Sequence, residues 1–112
     1  MLVVIADIQI RSGVQHRENV LNAFRKITPV VLQEDGCYGY ELLVDYESNV
    51  DYQTKSPDSI TMLEHWESIE HLNAHLQTPH MKAYQQQVKD DVLDVKIRIM
   101  QKGLTINDIL EI

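Results

Sequence analysis

The chain has 112 residues, the length of one domain, and 44% of them are apolar, enough for a core. Seventeen acidic against ten basic residues give a formal charge of -7, which argues against a phosphate-gripping surface and so against nucleic acid as a partner. The single cysteine, Cys37, rules out an internal disulfide and a cysteine metal cluster.

Residues 2–10 alternate: Leu2, Val4, Ala6, Ile8 and Ile10 fall on one side, Asp7, Gln9 and Arg11 on the other. That period predicts a half-buried strand, broken by Gly13. The same stretch lacks the basic start and long apolar run of a signal peptide. No later run approaches the ~20 apolar residues of a membrane span. The expectation is a cytoplasmic protein with no membrane partner.

Residues 14–34 read as a helix, with Val20, Leu21, Phe24, Ile27, Val31 and Leu32 at spacings of three and four. Pro29 is expected to kink it or end its first part. Asp35-Gly36 closes it, Gly36 being suited to a left-handed cap. Residues 37–46 predict a second strand with Tyr38, Tyr40, Leu42, Val44 and Tyr46 on one face. Residues 47–58 are polar, include Pro57, and read as a loop. Residues 59–66 predict a third strand, with Ile60, Met62, Glu64 and Trp66 on one side and Thr61, Leu63 and His65 on the other.

Ser68 caps a short helix whose core face is expected to be Ile69, Leu72 and Leu76. Thr78-Pro79 opens another, with Met81, Tyr84 and Val88 inward. Residues 92–101 alternate again, with Leu93, Val95, Ile97 and Ile99 together. The order strand, helix, strand, strand, helix pair, strand is the βαββαβ pattern of the ferredoxin-like α+β fold, with helices on one sheet face. The domain is expected to span residues 1–103. The other sheet face would carry Val3, Ile5 and Leu63, so a second copy packed against it, a homodimer, is expected. The partly apolar tail 104–112 (Leu104, Ile106, Ile109, Leu110, Ile112) would reach the neighbouring subunit.

Four glycines are too few and too scattered for a phosphate loop or a dinucleotide fingerprint. Flavin, nicotinamide and nucleotide chemistry have no visible support. No Cys/His pair has zinc-finger spacing, and no nucleophile elbow is present.

Three stretches together resemble the antibiotic biosynthesis monooxygenase family. They are Glu34-Asp35-Gly36-Cys37-Tyr38-Gly39-Tyr40, Glu64-His65-Trp66-Glu67-Ser68, and the run from His71 to Tyr84 that contains His75 and Thr78-Pro79-His80. Within that family the chain is most similar to the bacterial quinol monooxygenases, over about residues 1–103. The resemblance implies a dimeric α+β barrel with a pocket between sheet and helices. It also implies oxygen chemistry on electron-rich aromatics with no metal, flavin or other cofactor. A haem-degrading branch uses an Asn, a Trp and a His ligand; this chain carries Ala6, His75 and Gln85 there, so haem is not expected. A branch acting on a phosphorylated sugar-like signal shares the His75 and Thr78-Pro79-His80 pattern and stays open.

The candidate residues follow. His75 flanks the apolar face of its helix and could take a proton from a quinol hydroxyl; a boundary histidine bonded to its neighbours is the plain alternative. His80 lies in the first turn of a helix, where the dipole disfavours an imidazolium. Glu64 sits among apolar neighbours and needs a partner, either orienting a histidine, binding a substrate hydroxyl, or bonding within the fold. Trp66 offers a flat wall for an aromatic ring, or simple packing. Tyr40 and Tyr84 could line the cavity. His71, His75, His80 and Glu64 could be read as a metal site, but their spacing is common and no metal is expected. His16 and His65 read as surface or sheet-face residues and Cys37 as structural. The function expected is a cofactor-independent quinol oxygenase acting on a small aromatic with molecular oxygen. The alternatives are an isomerase of a small (phosphorylated) carbonyl compound and a non-catalytic aromatic-binding dimer.

Overall fold

The computed structural model describes residues 1–104 and 106–107. Its elements run β1 (Leu2–Ile10), α1 (Val14–Val31), β2 (Cys37–Leu43), β3 (Ser59–Trp66), α2 (Ile69–Leu76), α3 (Pro79–Gln87) and β4 (Val92–Met100). The strands form one antiparallel sheet in the order β2-β3-β1-β4. The βαββαβ order and ferredoxin-like topology match the sequence expectation.

Register decides what each sheet face carries. Leu2, Val4, Ala6 and Ile8 stand opposite Trp66, Glu64, Met62 and Ile60, and residues directly opposite share a face. Against this layer pack Val20, Ala23, Phe24, Ile27 and Val31 of α1, Leu72 of α2, and Met81 and Tyr84 of α3. The 3.6-residue and two-residue periods thus meet in one core between helices and sheet.

Three features differ from expectation. Helix α1 runs through Pro29 and stops at Val31 instead of reaching residue 34. The missing proline N–H frees only the Arg25 carbonyl, which lies on the exposed side of the helix. Strand β2 ends at Leu43, and a register shift between Cys37 and Gly39 turns Tyr38 out to solvent. Tyr38, Val44 and Tyr46 therefore do not share the buried face of Tyr40 and Leu42.

The third difference is β4. Leu93, Val95, Ile97 and Ile99 alternate as expected, yet all four are exposed. Val95, Ile97 and Ile99 stand opposite Ile8, Ala6 and Val4, so they point to the helix side. Helices α1 and α2 pack over β2 and β3, while β4 is the opposite edge of the sheet. Val3, Ile5 and Leu63 lie on the helix-free face, partly covered, among Asp7, Lys96 and Arg98. Of the apolar tail, Leu104 and Ile106 are described and exposed; Ile109, Leu110 and Ile112 lie outside the described residues.

Candidate active site

The turn that follows α1 brings Glu34 under the two short helices. Its backbone N–H donates to the Val31 carbonyl at 2.9 Å, and the neighbouring Gly36 carbonyl accepts from Glu67 N–H at 2.9 Å, tying the turn to the end of β3. Gly36 has φ of 78°, and a Cβ there would overlap the His71 ring. Only glycine meets both demands.

The Ser68 hydroxyl caps α2 by accepting from His71 N–H. Two turns later Thr78 acts at both helix ends: its Oγ1 donates to the His75 carbonyl at 2.7 Å and accepts from Met81 N–H at 3.3 Å. This joint fixes His75 at the end of α2 relative to His80 at the start of α3.

The consequence is a three-residue cluster on one carboxylate oxygen. Oε2 of Glu34 lies 2.8 Å from Nδ1 of His75 and 2.8 Å from Nε2 of His80. An ionised Glu34 accepts from both rings, so it holds the His75 proton on Nδ1 and leaves Nε2 as that ring's basic nitrogen. His75 is 1% exposed. Its ring centroid is 4.6 Å from that of Trp66 and 5.6 Å from that of Tyr40, the latter edge-on. The side chain of His80 is 23% exposed, so the cluster meets solvent on that side.

Glu64 is bonded within the fold, one of the three roles the sequence left open for it. Its Oε1 accepts from Trp66 Nε1 at 2.9 Å, a buried bond within the fold, and it orients no histidine. Burial pushes the Glu64 carboxyl above its usual range, outweighing the pull of the Trp66 bond and of His75. Burial likewise raises the Tyr40 and Tyr84 phenols far above the ordinary tyrosine range, so both stay protonated and neither is a base. It also raises the Cys37 thiol.

The structure therefore gathers His75, His80, Trp66 and Tyr40, with Glu64 behind Trp66 and Tyr84 one ring further, 4.7 Å from Phe24. His75 belongs to the buried face of α2 with Leu72, whereas Ile69, expected on that face, is exposed. Glu34 is the residue that sequence reading missed. A signal existed: it lies in the first family-like stretch, but a carboxylate in a turn reads as solvated. His71 stands apart, with Nε2 3.2 Å from Glu67 and 3.5 Å from Asp35. His16 bonds the buried Asp91 at 2.7 Å. The only group among the described residues with metal-ligand spacing is Glu34, His75 and His80, not the His71 and Glu64 combination.

An apolar groove of about 410 Å³ opens between α1 and β2, lined by Leu21, Phe24, Thr28, Pro29, Tyr40 and Leu42 among others. Tyr40 lines it, and the same ring lies edge-on to His75 with centroids 5.6 Å apart. No described helix is long and apolar enough to cross a membrane.

Residues 1–87 match the family model described as antibiotic biosynthesis monooxygenase. The curated Escherichia coli K12 protein named "Probable quinol monooxygenase YgiN" is 58% identical over 104 residues, 93% of this chain and 100% of that protein. The Shigella flexneri protein of the same name aligns with the same identity and coverage. Among solved structures, one titled as an antibiotic biosynthesis monooxygenase superposes with a TM-score of 0.75 at 24% identity, covering 93% of this chain and 100% of that one. A Pseudomonas aeruginosa protein superposes with a TM-score of 0.76 at 23% identity, covering 92% and 94%; at such identities these two speak for the fold. The chain belongs to the antibiotic biosynthesis monooxygenase family, a family of oxidoreductases.

Proposed function

We propose that the chain is a cofactor-independent quinol monooxygenase, with His75 as the base and Glu34 as the residue that positions it. The observation carrying this reading is the single Glu34 oxygen shared by His75 and His80 at 2.8 Å each, beside the Trp66 wall. The name of the curated relatives supplies the substrate class. The proposal includes a homodimer working in the cytoplasm, where a single free thiol is at home. The exposed apolar side of β4 and the helix-free sheet face are its candidate contacts.

The chemistry balances without a cofactor. Nε2 of His75 takes a proton from one quinol hydroxyl, and the imidazolium is stabilised by Glu34. The anion gives one electron to oxygen, leaving a semiquinone and superoxide. Recombination at a ring carbon, followed by loss of water, puts one oxygen atom on the ring and yields a hydroxyquinone. The quinol supplies all four electrons that reduce the dioxygen. The protein contributes deprotonation, orientation and exclusion of water. His75 is buried against Tyr40, so the side chains around it must shift for a quinol to reach Nε2.

The test is turnover of a panel of quinols with oxygen consumption recorded, in air and under nitrogen. Oxygen uptake that matches product formed supports the reading. Turnover that proceeds equally without oxygen would indicate proton shuttling in an isomerase, which the same two histidines could perform. Tight binding with no turnover would leave an aromatic-binding dimer.

A further inference from the structure

We propose that Glu34, His75 and His80 form a site for a first-row divalent transition-metal ion, zinc above all, and that the bound ion silences the enzyme. The ion would be an inhibitor taken up from solution and not a cofactor. The binding claim stands on the geometry alone; the silencing rests on the reading of His75 as the base.

Two imidazoles and one carboxylate with an open fourth position are a ligand set that zinc favours. Here the three ligating atoms lie within 4.8 Å of one another. Tetrahedral bonds of 2.0–2.2 Å place neighbouring ligand atoms about 3.3 Å apart. The two 2.8 Å separations across Oε2 need to widen by only a few tenths of an ångström. Each ligand comes from a different segment: the turn after α1, the last turn of α2 and the first turn of α3. The supports that fix the rings are in place without the ion. Trp66 and Tyr40 hold the His75 ring, and Thr78 locks the α2–α3 joint, which is the role of outer-shell partners in metal sites. The Glu34 side chain is 12% exposed and that of His80 23%, so a hydrated ion has an approach and a fourth ligand in water.

The inhibitory consequence follows from proton placement. A neutral imidazole carries one proton. When Nδ1 of His75 binds the ion, that proton moves to Nε2, the nitrogen that must be bare to accept the quinol proton. His80 similarly shifts its proton to Nδ1, so no net proton is released from two neutral rings. The bound ion also draws the Glu34 charge away from any imidazolium. His71 with Asp35 and Glu67 is the rival location, but both carboxylates there are largely in water.

The experiment is equilibrium dialysis of the parent protein against micromolar zinc chloride, followed by elemental analysis. One zinc per chain is expected. Glu34→Gln and His80→Ala should each weaken binding at least about tenfold, the least that loss of even an outer partner costs. His71→Ala should leave it unchanged. Should a variant fail to fold, the parent protein decides by nitrogen-15 NMR: the ring signals of His75 and His80 should move with zinc, and those of His16 and His71 should not. Absence of binding, parent-like affinity in Glu34→Gln, or movement of the His71 signals alone would overturn the site. Zinc bound at these residues with quinol turnover intact would overturn the silencing, and with it the role of His75. A chain without oxygenase activity would leave the metal site standing.

Discussion

Glu34→Gln isolates charge from shape. The amide oxygen can occupy the place of Oε2 and still accept from His75 and His80, each 2.8 Å away. What disappears is the negative charge that faces an imidazolium as it forms on His75. Two unit charges about 4 Å apart attract by about 4 kcal/mol at an effective dielectric of 20. Most of that attraction exists only once the ring is protonated, so its loss falls on kcat rather than KM. A fall in kcat of about 10²–10³-fold is expected. Turning two charge-assisted bonds into neutral ones also costs about 1–3 kcal/mol of stability, a fall in Tm of roughly 5–15 °C. Steady-state oxygen uptake and a thermal melt measure the two effects. A folded Glu34→Gln enzyme within about threefold of the parent kcat would refute the assignment of Glu34 as the positioning residue.

His75→Ala should lower turnover by about 10²–10⁴-fold while the fold survives; equal damage from His80→Ala in the same assay would mean that the two rings act as one base. Glu64→Gln should stabilise the protein at neutral pH: burial raises the folded carboxyl above its unfolded value of 4.5, so ionisation above that range destabilises the parent but not the variant. The difference in melting temperature should shrink as the pH falls from the raised folded value toward 4.5 and vanish below it, and a variant less stable at pH 7 would contradict the sign. Gly36→Ala should cost about 1–2 kcal/mol for the left-handed backbone alone, plus the overlap with His71; denaturant melts of Gly36→Ala and of the double variant with His71→Ala should show the second part relieved. Sedimentation should find a dimer at micromolar concentration, and Ile97→Asp should weaken it; a monomeric parent would refute the homodimer.

Much of this was legible in the sequence because it is periodic. The alternation in β1 and β3 placed Val4, Ala6, Ile8, Ile60, Met62 and Trp66 on the buried face, and register put them there. The failures have physical causes. Periodicity gives a face and not its cover: Val95, Ile97 and Ile99 share the core's side of the sheet, but α1 and α2 pack over β2 and β3, away from the edge where β4 lies. A hydrophobicity pattern also misreads a buried imidazole. Helix α2 turns Leu72 and His75 inward and leaves Ile69 outside, since Glu34 compensates the polar ring. The 41 residues that separate Glu34 from His75 made that pairing invisible until the chain was folded.

The polarity of this core argues for chemistry on its own terms. Burying a histidine at 1% exposure beside two carboxylates brings desolvation costs that apolar residues of the same volume would not. Glu64 meets its cost with one bond to Trp66, a local arrangement within one strand, two residues apart. Glu34 is different. It leaves a helix end, enters the helix–sheet layer, and satisfies two rings from two other helices with a single oxygen. A fold seeking only stability could close the same space with leucines, as it does at Leu72. Instead Trp66 and Tyr40, the latter also lining the apolar groove, pack against the His75 ring. Departures from simple core chemistry concentrate where a site must do work, and here they concentrate on His75.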